Sequence, residues 1–248
     1  MKSSRLNPSI LKYFALLAGL AGFILRLLTQ ARGIDEKGLL TRFYPPWVAL
    51  WILAAAAMLI LLLLTHPLRG PAPFRASFPG SIAATLGCIL AGVSALNTAR
   101  LLWLDGEITV FLVTSTLAVL AFAMLAVCRL LEWRPGFLFN VFVCIYFSLE
   151  MLRMYQTWSF DPQLHEYCFQ LFACIALTMT AYQLACFGAS HGRHRMLWFW
   201  GLTAVIFCLA CLDSGAFYLT GAVWVLTNLS CLKQPHRYLR MENDHSAE

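Results

Sequence analysis

Eight stretches of this chain, each of 16 to 22 residues, carry almost no charge, and short segments rich in Pro, Gly, Arg and Asp separate them. A helix rising about 1.5 Å per residue needs about 20 apolar residues to cross some 30 Å of hydrocarbon. Lipid offers backbone groups no hydrogen bonds, so such segments close their own as helices. With seven as the alternative if one apolar run does not cross, the pattern predicts an all-α fold, a polytopic transmembrane helical bundle of eight spans. They lie at about 13–28, 47–65, 80–96, 108–127, 136–155, 166–187, 196–212 and 216–232 in one domain, 1–234, followed by a cytoplasmic tail, 235–248. With 60% hydrophobic and 12% charged residues in 248, a soluble domain is excluded.

The breaks between spans have local causes. Tyr44-Pro45-Pro46 and the run Pro67, Pro71, Pro73 and Pro79 stop helices because proline lacks an amide donor and crowds the preceding turn. Asp105-Gly106, Asp161-Pro162 and Asp213-Ser214-Gly215 are turn sequences. Lys2, Arg5 and Lys12 precede the first apolar run, as in a signal peptide, but its length and the Arg26 at its far end point to an uncleaved span. The short likeness between Leu104-Asp105-Gly106 and Leu212-Asp213-Ser214-Gly215 is too brief to establish a repeat.

Small residues mark where helices can meet. Ala15 and Gly19, with Ala18 and Gly22, lie four apart in the first span. Ala84, Cys88 and Gly92, beside Gly87, Ala91 and Ala95, do so in the third. The second span, nearly all Ala, Leu, Ile and Met, is expected to face lipid. Of the 18 Lys and Arg, twelve fall on the side of the chain ends and six on the other, which places both termini in the cytoplasm.

Ionisable groups set deep in apolar runs cost about 2.5 to 3.5 kcal/mol each on insertion scales, so they require a reason. Tyr146, Glu150, Arg153 and Thr157 fall within about 60° of one another on the fifth helix. Tyr167, Gln170, Cys174 and Thr178 share a face of the sixth. With Arg26, Asn97 and Arg100 from the outer halves of other spans, Tyr146, Glu150, Arg153 and Gln170 make a candidate outward-half pocket for a small solute. This gives a first functional reading, small-solute transport or binding. The alternative is a non-transporting membrane scaffold or accessory subunit, in which Glu150 and Arg153 pair with each other and the stripes fasten helices or other membrane subunits.

Other classes find little support. The excess of Lys and Arg is that of a membrane protein anchored in the lipid bilayer, and nucleic acid is not expected as a partner. Nine cysteines lie in or beside apolar runs, where they read as small packing residues, Cys208-x-x-Cys211 included. His191 and His194 stand among arginines that repel a cation, and the turn aspartates are ordinary turn residues, so no metal is expected. No nucleophile elbow, zinc-protease, phosphate-loop or dinucleotide motif stands in its proper setting, so no catalytic residue and no cofactor is assigned. An enzyme is the third choice.

Arg26 with Gly33-Ile34-Asp35-Glu36-Lys37-Gly38-Leu39-Leu40, and the stretch Trp158-Ser159-Phe160-Asp161-Pro162-Gln163-Leu164-His165-Glu166-Tyr167-Cys168-Phe169-Gln170-Leu171, resemble signature stretches of an uncharacterised family of bacterial multi-pass membrane proteins. The resemblance implies a bacterial plasma membrane location and a multi-pass architecture. It implies no activity.

Overall fold

The computed structural model describes residues 8–32, 45–66, 78–104, 110–131, 137–158, 164–189 and 191–231. They form eight helices: α1 (Pro8–Arg32), α2 (Pro45–Leu64), α3 (Phe78–Leu104), α4 (Val110–Leu130), α5 (Phe137–Trp158), α6 (Leu164–Gly188), α7 (His194–Ala210) and α8 (Ala216–Cys231). A single 3-10 turn, Leu212–Ser214, joins the last two. The helices α1 to α6 are long and apolar enough to cross a membrane, and the chain is a multi-pass membrane protein of all-α class.

Prolines open α1, α2 and α3, where the missing amide donor is one that no helix uses. Hydroxyls along the helices mostly bond back to their own chain. Thr29, Thr65, Thr85, Ser115 and Thr180 each donate to the carbonyl four residues earlier. Such local bonds satisfy a hydroxyl in lipid without recruiting a neighbouring helix.

In contact order α3, α4, α5, α6, α7 and α8 close into a ring, with α8 returning to α3. The helix α1 leans on the outside of α7, and α2 leans on α1. Burial follows this plan. Every residue of α7 from Gly201 to Ala210 is buried. By contrast α2 buries only the stripe Leu50, Ala54, Ala57 and Leu61, as its sequence predicts for a lipid-facing helix. Among the described residues the helix partners do not repeat between the first four helices and the last four, which gives the Leu-Asp-Gly likeness no support as a duplicated half; Asp105 and Gly106 lie outside the described residues.

The helix α7 has 17 residues and α8 has 16, short for a crossing. Their registers show that they traverse the bundle nonetheless. Lys12 of α1 meets Trp198 and Ser230, Gly19 meets Ile206 and Leu209, and Arg26 meets Asp213. Thus α7 climbs beside α1 from Lys12 to Arg26, about 21 Å of helix rise. On the far side α8 descends against α3, with Gly221 near the level of Ala91 and Cys231 donating to the Gly80 carbonyl. Successive helices alternate in direction, and the described chain begins and ends at one face of the bundle.

Close approach is set by glycine. A Cβ on Gly19 would stand 2.7 Å from Leu209 Cβ and 3.2 Å from the Ile206 carbonyl oxygen, so α1 lies on α7 at a distance only glycine permits. Gly87 does the same for α3 on α8, its absent Cβ lying 3.2 Å from Trp224 Cα. Since lipid tails are as apolar as leucine, this packing, rather than escape from water, holds the helices together.

Candidate functional site

Three elements converge at the face opposite the chain ends. The last turns of α1 carry Arg26 and Gln30, four apart and so on one side of the helix. The first turns of α6 carry Gln170, and the 3-10 turn between α7 and α8 carries Asp213 and Ser214. Arg26 Nη1 lies 3.3 Å from Asp213 Oδ1, and Arg26 Nη2 donates to Ser214 Oγ at 3.0 Å. Gln30 Nε2 donates to Asp213 Oδ2 at 2.8 Å, and Gln170 Nε2 donates to Ser214 Oγ. The Arg26 side chain is 7% exposed. A buried guanidinium therefore has a carboxylate and a hydroxyl beside it, and both come from the same turn. The turn can reach α1 because the helix ends at Ala210 and Gly215, at φ +136°, redirects the chain into α8.

On α5 the Glu150 side chain is almost wholly enclosed, and its Oε2 accepts from Arg153 Nη2 at 2.8 Å and Nε at 2.9 Å. The Arg153 side chain is 37% exposed. It bonds inward and reaches outward, as a long basic side chain near a membrane surface does. Where α5, α6 and α8 meet, Met154 Sδ accepts from Tyr218 Oη at 3.3 Å and lies 3.8 Å from Cys174 Sγ. The polar stripe of α5 thus gives way to thioether and thiol.

Tyr146, one turn earlier on α5, belongs to an aromatic cluster inside the ring. Its ring lies 5.4 Å from Phe147 and 6.4 Å from both Phe122 and Phe217, while Trp224 stands 5.6 Å from Phe147. The Tyr146 pairs with Phe122 and Phe217 are edge-to-face and the other two are tilted; aromatic pairs of this kind add about 0.5 to 1.5 kcal/mol each beyond simple burial. The cavity beside them, bordered by Ser94 and Thr220, has a volume of about 10 Å³. That is room for about one water.

Of the sequence-predicted residues, Arg26 and Gln170 meet through Ser214, and Glu150 and Arg153 meet each other. Tyr146 lies in the aromatic centre, and Asn97 and Arg100 stay exposed on α3. The expected span ended at residue 96, but α3 stays helical to Leu104 and carries both residues on its exposed surface. The Thr157 side chain lies outside the described residues. Sequence reasoning missed Gln30, Asp213 and Ser214. The four-residue spacing of Arg26 and Gln30 was the available signal. It also missed a second network at the face of the chain ends, where buried Arg129 donates to Asn228 Oδ1 at 2.7 Å and Asn228 donates to the Trp224 carbonyl. None of the nine cysteines forms a disulfide, and Cys208 and Cys211 are fully buried.

Compared with protein families, curated proteins and solved structures, the chain matches none. The resemblance carried by the Trp158 to Leu171 stretch therefore supplies no residue role.

Proposed function

We propose that this protein is a non-transporting membrane partner, a scaffold or accessory subunit of a membrane complex, whose outer-half ionisable groups are paired internally, Arg26 of α1 across to the turn before α8 and Glu150 with Arg153 along α5. One observation carries the reading: Arg26 is matched by Asp213 and Ser214, and Glu150 by Arg153, with little of Arg26 or Glu150 left exposed. Charged groups that handle a solute are left reachable, whereas these are spent on internal contacts. The filled aromatic centre fits the same reading. The excess of Lys and Arg on the side of the chain ends favours both termini in the cytoplasm, and the resemblance of the Trp158 to Leu171 stretch is what suggests a bacterial plasma membrane.

Small-solute transport or binding keeps one observation in its favour. Arg153 presents an accessible guanidinium directly above a buried carboxylate, an arrangement that an anionic group could open. Replacing Glu150 by Gln separates the two readings in cells. For a purely structural pair, the variant falls in abundance, and metabolite uptake per folded molecule does not change. Normal abundance with lost uptake of any metabolite overturns the scaffold reading. Co-purification from gently solubilised membranes then identifies the complex to which the subunit belongs.

A further inference from the structure

We propose that the junction of α1, α7 and α8, at the face carrying the chain ends, holds the phosphate of an anionic phospholipid. The anchor is Lys12. Its half-buried ammonium donates to Ser230 Oγ at 2.8 Å and sits 5.7 Å from the centre of the Trp198 ring. An ammonium has three hydrogens to donate, and a hydroxyl and a ring face leave it without an anion. Arg195 stands three residues before Trp198 and so on the same side of α7, and Arg193 is exposed where that helix begins. The first turn of α7 holds no acid, and among the described residues none of Lys12, Arg193 and Arg195 meets a carboxylate.

The surroundings favour a lipid over a free ion. Ser230 is the last of a strip on α8 made with Leu219, Val223 and Leu226. All are exposed or partly exposed, and they recur at the spacing of one helix face. On either side of this strip α8 is covered by α3 and α7. A phosphate at Lys12 would therefore lead its acyl chain straight onto an apolar track. Basic pockets between membrane helices bind anionic headgroups in this manner. Trp198 completes the site from below. Its Nε1 donates to His194 Nε2 at 3.0 Å, which fixes the indole with its face toward Lys12.

The test uses the full-length purified protein in mixed micelles of phosphatidylcholine with increasing phosphatidylglycerol, read by thermal shift and by native mass spectrometry for retained lipid. The site predicts a saturable rise in Tm and one retained phosphatidylglycerol. Binding weakens at least tenfold in Lys12→Gln with Arg195→Gln, and it is kept in Lys12→Arg and in Arg100→Gln. Unchanged binding in the double variant means a nonspecific lipid annulus and overturns the proposal. An equal shift from inorganic phosphate alone overturns the lipid assignment. If phosphatidylglycerol binds only after Glu242, Asp244 and Glu248 are replaced by amides, the tail is the native occupant and the proposal also fails. If the double variant does not fold, Lys12→Gln against Lys12→Arg decides the matter: binding lost in the first and kept in the second supports the site, and equal binding overturns it.

Discussion

Arg26 on the first helix and Asp213 in the turn between the last two form a 3.3 Å ion pair, so residues near opposite ends of the sequence close one face of the bundle. Breaking a buried pair by removing one partner leaves the other charge stranded and costs about 3 to 5 kcal/mol, less where a partner touches solvent. Asp213 keeps 18% of its side-chain exposure, so Asp213→Ala should destabilise by about 3 kcal/mol. Arg26→Met with Asp213→Ala should cost less than the two changes summed, by a coupling of at least about 1 kcal/mol. Thermal unfolding of the four proteins in one detergent checks this, and strict additivity would refute the pair.

The Glu150 and Arg153 pair should respond unequally to its two deletions. Losing Arg153 leaves a carboxylate that is 4% exposed, whereas losing Glu150 leaves a guanidinium already 37% exposed and able to turn to water. Arg153→Met is expected to destabilise by about 3 kcal/mol and Glu150→Gln by about 1 kcal/mol. Tm values and cellular abundance should rank wild type, Glu150→Gln, Arg153→Met in that order.

Gly19→Ala puts a methyl group 2.7 Å from Leu209 Cβ, which only a shift of α1 or α7 can relieve. Overpacking of this kind costs about 1 to 3 kcal/mol. Gly92→Ala, whose nearest atom would be Phe122 Cβ at 3.3 Å, should cost distinctly less. Comparing the two variants by thermal unfolding and by trypsin resistance tests whether α1 docks where described.

The expected eight-span topology would put both chain ends on one side of the membrane. Reporter fusions at residue 248 and ahead of Met1 should give the same compartment, and a fusion ending at residue 106 the opposite one. Reporters that place the two ends in different compartments would mean that α7 and α8 do not both cross.

The helices and the points where they stop were legible in the sequence because both depend on neighbours a few residues away. Apolar runs form helices in lipid, proline and Asp-Gly end them, and Glu150 with Arg153 can pair one turn apart whatever surrounds α5. Small residues at four-residue spacing likewise announced the docking of α1 and α3. Which residues face inward was not legible. The α7 segment from Gly201 to Ala210, buried throughout, and α2, which buries only one stripe, are both apolar all round, and in a bilayer apolar residues suit either side equally. Periodicity therefore says nothing about how a helix is turned. Only the tertiary structure decided that Asp213 reaches Arg26, that Arg129 finds Asn228, and that Asn97 and Arg100 stay outside. Those outcomes depend on which helices become neighbours and at what rotation, and that is settled by close packing between segments far apart in the chain.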